Sequence, residues 1–365
     1  MGFTLFIDQD KIGWRYGELL NLCRAEEGDE PVQMLSFSSD FLVKKGYRED
    51  PGVVFSPQFD NIALVTDMRA FFEMRAMRRN AIDQFWPSLE RAETHRLRDD
   101  RVKFDKELCS ISADGLIRDY GSNSMIKNLA HTYEVLGALY LPKGDSRIDL
   151  VRSRIIDAIN QDSIAFEELK VYYHTNGRVD QLHGQVRSLY RQWTELFSFF
   201  DSLEVLDFLK DPEMSLSDGY TLSEKPIDRL KAFYSDCFET IGRMTVIAAS
   251  LEGIISGAGF GVPTRRRLIP TAEFELVANG SKPDLISSMP FWPIIAGVFD
   301  SKLRNGIGHH SWVYDPVTDE IRYENHSSSR GREEFSVPYL DFCIQTRRIF
   351  HATLIMVNYV NCIYK

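Results

Sequence analysis

The alternation of apolar and polar positions along this chain is mainly helical. From Leu182, the apolar residues Val186, Leu189, Trp193, Leu196 and Phe200 recur at three- and four-residue steps, the repeat of one helix face. The same repeat predicts helices over about 14–26, 123–140, 146–173 and 179–209. A longer helical pattern starts near Asn61 and is interrupted at Pro87, whose ring clashes with the preceding turn. Residues 28–60 contain Pro31, Gly46, Pro51, Gly52 and Pro57 and read as loops with short strands at 32–37 and 53–55.

The stretch 211–225, which holds Pro212, Gly219 and several Ser and Asp, reads as a boundary. It divides a helical N-terminal region, 1–215, from a C-terminal domain, 226–365. Pro226 opens a strong helix that runs to about Ser256 and stops at Gly257, the usual asymmetry of Pro at a helix start and Gly after its end. A glycine-rich loop over 257–270 and a helix over 293–304 follow. Residues 312–323 read as a hairpin around Asp315-Pro316, and 325–333 as a Ser/Arg/Gly loop. The last helix starts near Pro338, with Leu340, Ile344, Phe350, Leu354, Val357 and Val360 as its apolar stripe. The expected fold is mainly α: a helical N-terminal region, then a helical bundle with a small β-hairpin insertion. No internal repeat of 20–50 residues is visible.

Of the 365 residues, 44% are hydrophobic and 12% aromatic, enough for a sizeable core and too many for a disordered chain. The net charge of −10 disfavours tight non-specific duplex binding but leaves room for a local basic cleft. Cys23, Cys109, Cys237, Cys343 and Cys362 are odd in number and form no Cys-x-x-Cys. That argues against a disulfide framework or zinc knuckle and points to reduced thiols in a cytoplasm. No secretory signal is visible, and Phe6 stands where myristoylation requires Ser or Thr. The longest apolar stretches, 244–258 and 349–363, are too short for a membrane span and carry Glu252 and His351.

The segment that carries chemistry is Lys302-Leu-Arg304-Asn305-Gly306-Ile-Gly308-His309-His310. On one continuous helix Arg304 and His309 would stand about 140° apart. Gly306 and Gly308 are expected to end the helix and turn the chain back, so that both side chains reach one cleft. Arg offers a permanently charged fork for phosphate oxygens, and His titrates near neutrality and moves protons. The pair suits phosphodiester chemistry without a metal or other cofactor. Asn305 would orient the His, the backbone or the phosphate.

Arg304-Asn305-Gly-Ile-Gly-His309 resembles the Arg-x4–6-His motif of the HEPN superfamily, whose ribonucleases usually carry a polar residue directly after the Arg. The resemblance spans roughly 226–365. It implies a compact helical bundle that dimerises around a shared cleft, metal-independent RNA cleavage, and roles in toxin–antitoxin, abortive-infection or CRISPR defence. It further implies Arg304 and His309 as catalytic residues, with His310 as the alternative to His309. Members modified by a nucleotidyltransferase antitoxin carry Tyr two residues after the His; here that residue is Ser311, which argues against a partner of that kind.

Arg178 and His183 match the same spacing, but Val179 follows the Arg and no glycine pair separates the two, so they read as surface or packing residues. Arg265, Arg266, Arg267, Lys302, Arg330 and Arg332 are candidates for holding an RNA backbone; the arginine runs read equally as solvated loops. Glu239 and Glu252, on the helix starting at Pro226, are candidates to bond the motif's Arg or His. Gly257 to Gly261 reads as a helix stop, since it follows a helix and has no Lys-Ser/Thr. Phe291, Trp292, Phe299, Phe350 and Tyr359 exceed the apparent needs of one small bundle and suggest a homodimer. The expected function is an endoribonuclease, with an antitoxin or trigger protein as further partner. The alternative is a non-catalytic interaction module of the same fold: Arg304 and His309 both facing a solvent-accessible cleft would favour the enzyme, and either one buried in a saturated hydrogen-bond network would favour the module.

Overall fold

The computed structural model describes residues 3–8, 11–16, 42–45, 64–112, 124–142, 144–175, 177–211, 215–308, 311–327 and 331–364. Residues 1–38 and 39–365 are separate compact units. In the first, β1 (Phe3–Asp8) and β2 (Lys11–Tyr16) pair antiparallel, with Phe3 opposite Tyr16 and Asp8 opposite Lys11. Residues 14–16 are therefore strand where helix was expected. Ile12, Trp14 and Tyr16 alternate, and a period of two outweighs the short helical window. The rest of the 14–26 helix and the strands expected at 32–37 and 53–55 lie outside the described residues.

The second unit is mainly α-helical. It contains α1 (Met68–Asn80), a π-helical turn (Ala81–Phe85), α2 (Trp86–Leu97) and α3 (Arg101–Ser112). Pro87 does not break this run. It falls in the first turn of α2, where its missing N–H is not needed. The sequence pattern missed α3, although its buried Phe104, Leu108 and Ile111 have helical spacing. Next come α4 (Met125–Tyr140), α5 (Arg147–Gln161) and α6 (Ser163–Thr175). The single helix expected over 146–173 divides at Asp162, whose carboxylate accepts from the Ile164 and Ala165 amides at 3.1 and 3.0 Å and caps α6. Then follow α7 (Arg178–Glu195), α8 (Phe197–Asp201) and a 3-10 turn (Glu204–Phe208), and β3 (Val43–Lys44) pairs with β4 (Tyr220–Thr221).

Helix α9 (Ile227–Ile255) matches its expected bounds. Gly257 ends it with φ +77°, a left-handed conformation that glycine adopts without strain. A small hairpin, β5 (Val262–Pro263) and β6 (Leu268–Ile269), leads to α10 (Thr271–Glu275) and α11 (Pro283–Ile286). The helix expected over 293–304 is displaced. Pro293 lies in a 3-10 turn, and α12 runs over Ser301–Gly308, started by the Asp300 carboxylate on the Lys302 and Leu303 amides at 2.8 and 3.2 Å. The expected hairpin is the first part of a three-stranded antiparallel sheet, β7 (Val313–Asp315), β8 (Glu320–Ser327) and β9 (Gly331–Pro338). Much of the expected 325–333 loop is therefore strand. Helix α13 (Tyr339–Tyr364) closes the chain.

Both α9 and α13 are buried on nearly all sides and pack along each other at the centre. Helices from either side of 211–225 share this core. Trp193 of α7 is sandwiched between Phe200 of α8 and Phe350 of α13, each ring 4.4 Å away. Such pairs add about 0.5–1.5 kcal/mol each beyond burial. Phe291, Phe299, Phe350 and Tyr359 are buried within the one chain and Trp292 is half-buried, so most of the aromatic surplus read as a dimer contact is absorbed internally.

A buried group of charges crosses the core. Arg78 of α1 donates to the carbonyls of Leu139 and Leu141 and to Asp207 at 2.9 Å, and pairs with Glu204. Arg347 of α13 reaches the same Asp207 at 2.6 Å. Burial pushes the Asp207 carboxyl up, yet Arg347 and Arg78 together hold it well below the usual carboxylate range. No helical period reveals that these four residues meet. No helix among the described residues is long and apolar enough to cross a membrane.

Candidate functional site

The site is built on α12. Leu303 and Ile307 face the core, and the buried Gly306 lies against β8. A Cβ on Gly306 would stand 2.8 Å from the Tyr323 Cβ, so only glycine lets the helix rest on the strand. Neither Gly306 nor Gly308 has positive φ; the helix runs through Gly306 and ends at Gly308. The helix thus ends at the second glycine, as expected, and the turn expected to follow it falls on 309–310, outside the described residues; within the helix the two glycines allow close approach. A Cβ on Gly308 would come within 3.1 Å of the Arg304 Nη1, so this glycine makes room for the guanidinium. Beyond the helix, the Ser311 amide and hydroxyl both reach the Gly306 carbonyl, at 3.2 and 3.3 Å, and the hydroxyl lies 2.9 Å from the Glu324 carbonyl of β8.

With one face buried, α12 turns Lys302, Arg304 and Asn305 outward, Lys302 fully and the other two in part. The Arg304 Nη2 meets the Glu239 Oε1 of α9 at 2.6 Å, the two side chains 35% and 36% exposed. The other carboxylate oxygen of Glu239 accepts from the Asn279 Nδ2 at 2.6 Å. Asn279 Oδ1 accepts in turn from the Lys282 ammonium at 2.8 Å, and the same ammonium donates to the Gly242 carbonyl of α9. Lys282 is 1% exposed. Burial brings it down to about 8, against the pull of Glu275 and Glu239 and with the help of Arg243. Of the two glutamates named as candidates, Glu239 meets the motif. Glu252 instead pairs with Arg154 of α5.

The remaining candidates are dispersed. Lys302 places its ammonium 4.7 Å above the Phe335 ring of β9, which stacks on Tyr323 at 5.4 Å. Arg265, Arg266 and Arg267 form the exposed turn of the β5–β6 hairpin; Arg267 pairs with Glu273 and is thereby partly committed. Arg332 lies on β9, and Arg330 lies outside the described residues. His309 and His310 also lie outside them, so the geometry at hand concerns the arginine half of the motif. Arg178 and His183 are packing residues. Arg178 covers the Tyr172 ring and bonds Glu275 at 3.2 Å, while His183 is buried edge-on to Tyr133 and Tyr364. Burial brings His183 down to about 4, against the pull of Glu93. Among the described residues no three His, Cys, Asp or Glu side chains gather in a way that could hold a metal ion.

Sequence reasoning missed Asn279 and Lys282. Their only signal was the polar run Asn279-Gly-Ser-Lys-Pro283, which reads as a surface turn. Chemically, the arrangement presents a guanidinium that is 35% exposed and whose acidic partner among the described residues is Glu239. No family model matches this chain, and neither a curated protein nor a solved structure matches it.

Proposed function

We propose that the protein is a metal-independent endoribonuclease of HEPN type, acting in the cytoplasm as a toxin or defence effector. The observation that carries this reading is the partly exposed Arg304 fork, held at one nitrogen by Glu239, five residues before His309. In this reading a ribose 2′-hydroxyl attacks the adjacent phosphate as the P–O5′ bond breaks, His309 carries the proton from the attacking hydroxyl to the leaving 5′-oxygen, and Arg304 takes up the charge that develops on the phosphate oxygens. Glu239 aims the fork without saturating it, and Lys302 with the exposed arginines of the β5–β6 turn holds the strand. A homodimer through the C-terminal part would bring a second Arg/Asn/His set to the cleft. The N-terminal part would receive a trigger or neutralising partner.

The test is to incubate the protein with mixed RNA in excess EDTA and to map the ends. Products are expected to carry 2′,3′-cyclic phosphate and 5′-hydroxyl termini. Arg304→Ala and His309→Ala each abolish them, while Arg178→Ala and His183→Gln leave cleavage intact in folded protein. Cutting that vanishes in EDTA and returns with magnesium, or that survives Arg304→Ala, overturns the reading.

A further inference from the structure

Behind the Arg304–Glu239 pair stands a lysine that the ribonuclease reading does not use. Lys282 is 1% exposed and has no carboxylate within bonding distance among the described residues. A buried ammonium in that position is costly, and a methionine would fill much the same volume. The lysine's two acceptors are the Gly242 carbonyl and the Asn279 Oδ1. They are held together by a close approach: a Cβ at Gly242 would stand 2.2–2.5 Å from three atoms of the Asn279 amide, so that amide lies flat on α9 only because residue 242 is glycine.

The orientation of the Asn279 amide follows from donor and acceptor chemistry. An ammonium has donors only, so the amide must turn its oxygen to Lys282. Its NH2 must then face the other way, toward Glu239, a carboxylate that only accepts. Turned over, the amide would set its NH2 against the ammonium and its oxygen against the carboxylate. Lys282 thus selects one of two amide orientations. That orientation fixes one oxygen of Glu239 and leaves the other for Arg304, through successive contacts of 2.8, 2.6 and 2.6 Å.

We propose that Lys282, acting through Asn279, is a positioning residue that sets Glu239 and thereby the direction of the Arg304 guanidinium. Its importance for catalysis rests on the reading of Arg304 as the phosphate-holding group; the linkage itself does not. Lys282 touches no substrate. Charged groups that face it are Glu239 and Arg243 from α9 and Glu275 from α10.

Phenylglyoxal labelling followed by peptide mass spectrometry reads the linkage with no need for activity. Arg322, 57% exposed on β8, serves as internal reference. Glu239→Gln sets the scale for an Arg304 that has lost its partner. Lys282→Met and Asn279→Ala are both expected to raise Arg304 labelling by about twofold or more, as loss of an exposed ion pair brings, with Arg322 unchanged. Should Lys282→Met fail to fold, Asn279→Ala, at a half-buried position, decides alone. Unchanged Arg304 labelling in a folded variant overturns the proposal. Where the wild type cleaves RNA, the same variants lower kcat about tenfold with KM altered less than about twofold, since misdirection of a charge-stabilising group acts on the transition state. A loss in KM alone overturns the positioning role. A wild type that does not cleave under any condition defeats the ribonuclease reading, and the labelling still decides the linkage.

Discussion

The Arg304 guanidinium meets the Glu239 carboxylate at 2.6 Å, joining the eight-residue α12 to the middle of the 29-residue α9. With both side chains about one-third exposed, such a pair contributes only about 0–1 kcal/mol to stability. Its consequence is directional: it fixes where an always-charged fork points. An ammonium at this position would keep the charge and lose the planar set of donors.

Arg304→Lys is therefore expected to lose cleavage almost as completely as Arg304→Ala, by about a hundredfold, which is the usual loss for one oriented donor at a developing oxyanion. Stability should stay within about 0.5 kcal/mol of wild type. RNA cleavage rates beside urea unfolding curves check both halves. A lysine variant with near-normal turnover would show that charge alone suffices.

The two glycines of α12 should respond oppositely to alanine. Gly306→Ala forces a methyl group against Tyr323 and is expected to cost about 1–3 kcal/mol by overpacking. Gly308→Ala meets only the movable end of Arg304, so stability should hold or rise by about 0.5–1 kcal/mol through helix propensity, while cleavage falls. Urea midpoints of the two variants decide this; equal destabilisation by both would contradict the assigned roles.

His183 titrates near 6.5 when unfolded and at about 4 in the fold, where burial keeps it neutral. Between those values the unfolded chain binds the extra proton. The stability it contributes is thus complete above about pH 6.5 and is lost as pH falls toward 4. His351, also buried and held well below its ordinary value, adds a slope of the same sign. His183→Phe should flatten the acid limb of a stability–pH curve, leaving the part due to His351. An unchanged slope would mean that His183 is accessible to protons in the fold.

Lys282 gives the alkaline counterpart. Its value falls from 10.5 to about 8 on folding, so the unfolded chain binds more protons between those two pH values. This group's contribution therefore makes stability rise with pH from about 8 toward 10.5. Lys282→Met should remove that rise and raise stability near neutral pH relative to the rest of the curve. Thermal unfolding at pH 7 and pH 9.5 for both proteins measures it.

Removing one member of the buried charge group should be far costlier than removing a surface arginine. Arg78→Met leaves Asp207 and Glu204 with Arg347 alone and is expected to cost about 3–5 kcal/mol. Arg191, exposed and paired with Glu90, should cost no more than about 1 kcal/mol when replaced by methionine. Chemical denaturation of the two variants compares them directly.

Much of the helical order was legible in the chain because helix formation is read locally. The apolar repeat from Leu182 to Phe200, the Pro226–Gly257 bracket of α9 and the stripe of α13 are all properties of neighbours three and four residues apart. Interruptions were harder. Asp162 starts a new helix through a capping bond, and the displaced start of α12 at Ser301 depends on Asp300, each a single carboxylate choosing its own backbone amides. Tertiary structure alone decided which charges face one another. Glu239 and Glu252 stand on one helix as equivalent candidates, yet one meets Arg304 and the other Arg154, because different elements pack on the two stretches of α9. Arg78, Glu204, Asp207 and Arg347, like Asn279 and Lys282, look like solvated polar residues by sequence. Their placement is completed by partners distant in the chain, such as Gly242 and Glu239 for Lys282 and Asn279, and no local pattern encodes a partner brought near only by folding.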